Sequence, residues 1–323
     1  MWCCRCSKVL TGFDALCLFL ILTKHQEDHP FATYLNLLPV DYTIPLYCSI
    51  PLNSQYFTGW TEKLYSQQCA DYFACKRRCS IVFELIEEEF GGKNYLDKWF
   101  PWAWATVNSR CIYKENTTDE HSFCNNWFGG QQDSASIALI PFLDMINHSS
   151  DSKISCKFNQ KSKSFQLVQL DGCIHKGQEI FICYGPHNNA RLFLEYGFIL
   201  EQNPNDSVEF NPDDLKVLCD SGDISEKNWN ALILSKITCS EWSKFLYGMD
   251  VEEFMLDAKV VNLALNCLNA YINFLKVEQP KKFSDSLPPY VQHCLRKLWE
   301  NERYIISQCI EELQIACDNI VTA

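Results

Sequence analysis

The apolar positions of this chain follow one period in its first third and another in its middle. Ala15 to Leu22 is an unbroken apolar run (ALCLFLIL) behind Asp14. It is far shorter than the about 20 residues that cross a bilayer. Arg5 and Lys8 precede it as in a secretory leader, but Thr23-Lys24-His25 is not a small-residue cleavage site. Asp14 suits an N-cap, so the run predicts a buried helix from Asp14 to about Gln26. Residues 30–60 are punctuated by Pro30, Pro39, Pro45 and Pro51 and predict loops and short turns. Helical spacing returns from Thr61 to Phe90 and stops at Gly91-Gly92. A second helix is predicted from Leu96 to Arg110, with Pro101 near its first turn. Lys114 to Asp133 is polar and predicts an exposed loop.

The period then shortens. Ile137 to Ile140, Ser164 to Leu170 and Glu179 to Cys183 predict strands, with turns at Asp171-Gly172 and Lys176-Gly177. Pro186 to Tyr196 predicts a helix with proline in first position and Gly197 as its stop. Beyond Asn203-Pro204-Asn205-Asp206 the chain is helix-rich from about Glu226 to Ile320, broken by a Pro-Lys-Ser stretch at Gln279 to Pro289. The predicted organisation is α+β. An atypical N-terminus (1–11) precedes a domain over 12–200, with a helical insert at about 12–112 and a strand-bearing core at about 134–200. An all-α domain follows over 210–323, suited to packing or partner binding.

Composition narrows the partners. Of 323 residues, 47% are hydrophobic, enough for a sizeable core. The net charge of −12 makes a poor phosphate binder but attracts basic peptides. No nucleic-acid or membrane partner is expected, and a monomer is. Lys76-Arg77-Arg78 is too short for an import signal and predicts a solvated helix face. The 19 cysteines include the clusters Cys3, Cys4, Cys6 and Cys69, Cys75, Cys79, without paired C-x2-C spacing. They predict reduced, buried thiols, and no metal site is expected.

Three short features stand close together. Pro141 to Ser149 (PFLDMINHS) leads an apolar run into Asn147-His148. Gly177 to Gly185 (GQEIFICYG) ends a strand in Tyr184. Asn188-Asn189 opens a helix that ends in Leu194-Glu195-Tyr196-Gly197-Phe198. Each alone is compatible with ordinary structure: a satisfied turn, a core tyrosine, a capped helix.

Their order and spacing resemble the SET methyltransferases of the RuBisCO large-subunit methyltransferase subgroup. That pattern is D-x-x-N-H-S, then G-x-E-[IL]-x-x-x-Y-G, then N and Y-G-F. It is met by Asp144, Asn147, His148, Glu179, Tyr184, Gly185, Asn189, Tyr196, Gly197 and Phe198. The tracts WAWATVNSR (102–110) and CYGPHNNARLFLEYGF (183–198) extend the likeness. The resemblance implies a SET fold with a helical insertion, and methyl transfer from S-adenosylmethionine to a protein lysine, histone or otherwise. It implies catalytic roles for Tyr184 and Tyr196. It implies cofactor contacts from Arg110, Asp144, Met145, Ile146, Asn147, His148, Tyr184, Tyr196, Gly197 and Phe198, and a residence in cytoplasm and nucleus.

A sulfonium needs no metal to activate its methyl group. What remains is positioning, desolvation and proton handling. A lysine with a pKa of about 10.4 in water must lose its proton, and an aromatic channel favours the neutral form. A histidine-methylating relative carries Asn two residues after the matching arginine. Here Ile112 stands there, an apolar wall that suits a lysine stem, so lysine is expected over histidine. Members of this family also open with a Gly-x-Gly turn against the cofactor, which Met1 to Thr11 and Gly12-Phe13-Asp14 do not match. The expectations that follow are weak or no cofactor binding, or a catalytically silent protein that binds partners through its helical domain.

Overall fold

The structure is a computed structural model. It describes residues 10–52, 54–90, 92, 94–113, 137–159, 161–162, 164–208 and 258–322. The elements in chain order are α1 (Gly12–Thr23), α2 (Ala32–Leu37), α3 (Gly59–Phe83), α4 (Asn94–Arg110), β1 (Cys111–Tyr113), β2 (Ile137–Leu139), β3 (Asn147–His148), β4 (Ile154–Asn159), β5 (Ser164–Gln169), β6 (Phe181–Ile182), α5 (Asn189–Tyr196), α6 (Ala258–Glu278) and α7 (Pro289–Thr322). The expected loop over 114–133, the N-terminal residues 1–9 and all of 210–257 lie outside the described residues.

The Ala15–Leu22 run is a core helix as predicted, with Cys17, Leu18, Leu20 and Ile21 buried. Its cap is Thr11, not Asp14. The Thr11 hydroxyl accepts from the Asp14 amide, and Asp14 Oδ2 accepts from the Thr11 amide at 2.8 Å. That reciprocal capping box starts the helix earlier than the sequence suggested. Asp14 is also gripped by Arg78 at 2.6 and 2.9 Å. Arg78 is therefore not a solvated residue of α3 but the counter-charge of a fully buried carboxylate.

α1, α3 and α4 pack together around Cys17, Cys79, Phe83, Phe100, Trp104 and Val107. Pro101 lies well inside α4 rather than in its first turn. Burial of Phe100, Trp102, Ala103 and Trp104 on either side stabilises the helix against the lost N–H. Twelve cysteines, from Cys17 to Cys309, are free thiols. Contact with Cys17 and burial push the Cys75 thiol up. Contact with Cys75 and burial do the same for Cys79, so both stay protonated.

Strands are short and paired two by two: β1 with β2 antiparallel, β4 with β5 antiparallel, β3 with β6 parallel. β1 and β4 were not anticipated, and the expected 179–183 strand shrinks to Phe181–Ile182. The predicted turns hold, with Gly172 and Gly177 at φ 72° and 92°.

Residues 30–50 are more ordered than a loop reading allowed. They contain α2, and they are fastened to α4 and to the middle of the chain. Trp102 Nε1 donates to the Pro39 carbonyl at 2.8 Å, Tyr42 and Thr106 share a hydroxyl contact at 2.8 Å, and Thr43 Oγ1 donates to the Gly197 carbonyl at 2.6 Å. A second core joins the start of α3 to α5 and α7 through Tyr65, Phe193, Leu194, Val291 and Leu295. Trp299 Nε1 donates to the Tyr56 carbonyl, and Asn301 donates to Asp206. Among the described residues no helix is long and apolar enough to cross a membrane.

Candidate active site

The site forms where β3, β6, the end of α4 and the end of α5 meet. The parallel pairing sets Asn147 opposite Phe181 and His148 opposite Ile182. β6 then delivers Tyr184, and α5 delivers Tyr196. The predicted helix start at Pro186 moves to Asn189, because the Asn188 side chain caps the Arg191 amide. Gly197 ends α5 at φ 80°, as expected of a left-handed stop.

The rings of Tyr184 and Tyr196 lie 4.9 Å apart at 39°. His148 stands 5.1 Å from Tyr184 and 5.9 Å from Phe198, and His187 stands 6.1 Å from Tyr196. Phe198 closes the group at 6.1 Å from Tyr196. These are attractive ring separations. Together they build an aromatic lining of the kind that favours positive charge.

Polar contacts fix this lining. The Tyr184 hydroxyl donates to the Ile146 carbonyl at 2.7 Å, and the Tyr184 amide donates to His148 Nδ1 at 3.0 Å. Burial lowers the His148 pKa, and burial with nearby Arg191 lowers that of His187 to about 4. Both imidazoles are thus neutral near pH 7 and add no competing cation. Burial pushes the Tyr184 phenol up to about 12 and raises that of Tyr196. Both hydroxyls remain protonated. They act as oriented dipoles rather than as bases.

The remaining predicted site residues divide into those inside and those around this group. Arg110, the last residue of α4, donates from Nη1 to the Asp144 carbonyl at 2.9 Å and to its Oδ2 at 3.3 Å. Arg110 thus holds the 144–148 run. Asp144 Oδ1 and Arg110 Nε are buried without a partner. Met145 and Asn147 are exposed, and the Asn147 amide donates to Glu179 Oε1 at 2.6 Å. Ile112 is half-buried in β1 opposite Ala138, just past Arg110. Gly197 is backed by the 43–44 backbone.

Motif spacing could not reveal the contributions of Tyr34, Thr43, Asn108 and His187. Tyr34 Oη donates to Asp144 Oδ2 at 2.8 Å. Asn108 Nδ2 donates to the Glu195 carbonyl at 2.9 Å and to its carboxylate at 3.0 Å, holding the residue before Tyr196. Glu195 is buried, and burial pushes its pKa up to about 7.

No protein-family model matches the chain. Over 203 residues it is 34% identical to SET domain-containing protein 4 of Mus musculus, covering 62% of this chain and 44% of that protein. Over 337 residues it is 29% identical to the Homo sapiens protein of the same name, covering 93% of this chain and 74% of that one. The match thus spans less than half of the mouse protein. The ribosomal lysine N-methyltransferase set11 of Schizosaccharomyces pombe is 32% identical over 112 residues, covering 35% of this chain and 26% of that enzyme. Among solved structures, the SET domain of LSMT bound to lysine and AdoHcy superposes with a TM-score of 0.53 at 16% identity, covering 96% of this chain and 77% of that one. A second LSMT structure, bound to sinefungin and monomethyllysine, gives 0.52. The fold is thereby that of a SET domain. In its motifs and its relatives, the chain is similar to the SET-domain proteins of the RuBisCO large-subunit methyltransferase type.

Proposed function

We propose that this chain is an S-adenosylmethionine-dependent protein-lysine N-methyltransferase. The observation that carries the reading is the Tyr184–Tyr196 pair, 4.9 Å apart, with the Tyr184 hydroxyl tied to the Ile146 carbonyl. Two protonated phenols beside neutral imidazoles suit a methyl group that carries partial positive charge in flight. The residues fit such a cofactor on a second count. Asp144 Oδ1 and Arg110 Nε are buried and unpartnered beside the 144–148 run, so polar atoms are held there with capacity to spare. When bound, the cofactor supplies the activated methyl group.

The chain's own residues do the rest. Tyr184 and Tyr196 line the path of the amine and keep water from it. Both are protonated near pH 7 and cannot serve as its base, so the lysine must lose its proton before it attacks. Ile112 offers an apolar wall to the lysine methylenes. The acidic chain favours a basic protein segment, histone or non-histone, as substrate. Set11 and LSMT, named as lysine enzymes or bound to lysine, support catalysis over a purely binding role. We place the protein in the cytoplasm and nucleus on the family likeness alone.

Calorimetric titration with S-adenosylmethionine tests the cofactor assignment. We expect a single site with Kd in the micromolar range, about −8 kcal/mol. Absence of heat at millimolar cofactor would overturn the assignment.

A further inference from the structure

Asp144 opens the run that carries Ile146, Asn147 and His148, and its side chain is closed to solvent. Its Oδ2 accepts from Tyr34 Oη at 2.8 Å and from Arg110 Nη1 at 3.3 Å, while the same Nη1 takes the Asp144 main-chain carbonyl. Two residues further on, the Ile146 carbonyl accepts from the Tyr184 hydroxyl. A path of one side chain and a short step of backbone therefore joins Tyr34 to the hydroxyl of the catalytic tyrosine.

A buried carboxylate needs more than a single long contact to one cation. Here the shorter contact comes from the phenol. Burial and the adjoining carboxylate raise the pKa of Tyr34, so it remains a donor at any physiological pH. Its place is well fixed. Phe31 packs edge-on against Phe19 of α1, Leu35 is buried, and the Pro39 carbonyl is held by Trp102. α2 is thus anchored before, within and after, and it presents Tyr34 to Asp144 across 110 residues of sequence.

We propose that Tyr34 is a positioning residue of the active site: from α2 its hydroxyl fixes Asp144, and through Asp144 the turn whose Ile146 carbonyl orients the Tyr184 hydroxyl. Tyr34 touches neither the transferred methyl nor the amine. Its kinetic consequence rests on the methyl-transfer reading, and its structural consequence does not.

The test uses the full chain and Y34F, which keeps the ring and removes the hydroxyl. Amide hydrogen exchange is followed without cofactor. Y34F should exchange about tenfold faster or more over residues 145–148, with α1, α3 and α4 unchanged. In the methyl-transfer assay Y34F should raise KM for S-adenosylmethionine about tenfold and leave KM for the peptide unchanged, a split that general loosening would not give. D144N is the second variant. It should give the same two changes at least as strongly, since it also weakens the Arg110 contact, and adding Y34F to D144N should add little, because the Tyr34–Asp144 contact is then already lost. Wild-type exchange over 145–148 in Y34F overturns the proposal. Should Y34F not fold, wild-type exchange in D144N overturns it equally. Faster exchange confined to those amides, with no methyl transfer by the wild-type chain, supports the positioning role and rejects the enzymatic reading.

Discussion

The hydroxyl of Tyr184 donates to the main-chain carbonyl of Ile146 at 2.7 Å. That bond crosses between the 144–148 run and the segment leaving β6, so it depends on the parallel pairing of Asn147 with Phe181 and of His148 with Ile182. It also fixes which way the phenol points. The donor is committed to a carbonyl, so the oxygen lone pairs are what remain for a group of positive character. A slip of one residue in this register would move Ile146 and separate the pair.

Gly197 tolerates an added side chain poorly. Its φ of 80° disfavours any side chain, and an added Cβ would lie 2.5 Å from Thr43 Oγ1 and 2.8 Å from the Ile44 amide nitrogen. The second neighbour is backbone and must shift as a unit. Gly197→Ala should cost on the order of 2 kcal/mol or more in denaturant unfolding. It should also lower cofactor affinity, because Tyr196 and Phe198 flank it. An unchanged unfolding midpoint would contradict this placement.

Stability should fall as the solution is made less acidic. Burial pushes Glu302, hydrogen-bonded by Tyr271 Oη at 2.5 Å, up to about 7 from an ordinary 4.5. The unfolded chain releases this proton first, so stability is full below about pH 4.5 and is lost as pH rises to about 7. Glu195 at about 7 and Asp206 at about 6 act in the same direction. Glu302→Gln keeps an acceptor for Tyr271 and removes the titration. Its loss of stability between pH 5 and 8 should be smaller than that of the wild type, by on the order of 1–3 kcal/mol. Equal losses, read from urea midpoints, would contradict the buried-acid assignment.

Ile112 tests the choice of acceptor. It is half-buried in β1, directly after Arg110 and Cys111. Wild type should methylate a lysine peptide in preference to the histidine peptide of the same sequence. Ile112→Asn should narrow that preference, by about tenfold, because a polar side chain can hold an imidazole and wets the path of a methylene stem. A wild-type preference for histidine would reject the lysine assignment.

What the sequence revealed and what it concealed follow from the range of the interactions. The Asn147-His148, Tyr184 and Tyr196-Gly197-Phe198 segments were legible, because each is a local turn, strand end or helix stop. The structure brings them into one ring cluster. Tyr34, Tyr42 and Asn108 were not legible, because their partners lie 110, 64 and 87 residues away and no local pattern marks them. Proline misled twice. Pro101 sits inside α4 because packing on both sides stabilises it, and Pro186 precedes α5 because Asn188 makes the better cap. Asp14 was placed at the right helix end but in the wrong role, since Arg78 approaches from another helix.

The most direct measurement is transfer of a radiolabelled methyl group from S-adenosylmethionine to histones and cell-extract protein, with wild type and Tyr184→Phe side by side. The account predicts label on lysine with the wild-type chain and a loss on the order of 100-fold or more with the variant, which keeps the ring but loses the hydroxyl bound to the Ile146 carbonyl. No transfer by a wild-type chain shown to bind cofactor, or equal transfer by the two proteins, would contradict it.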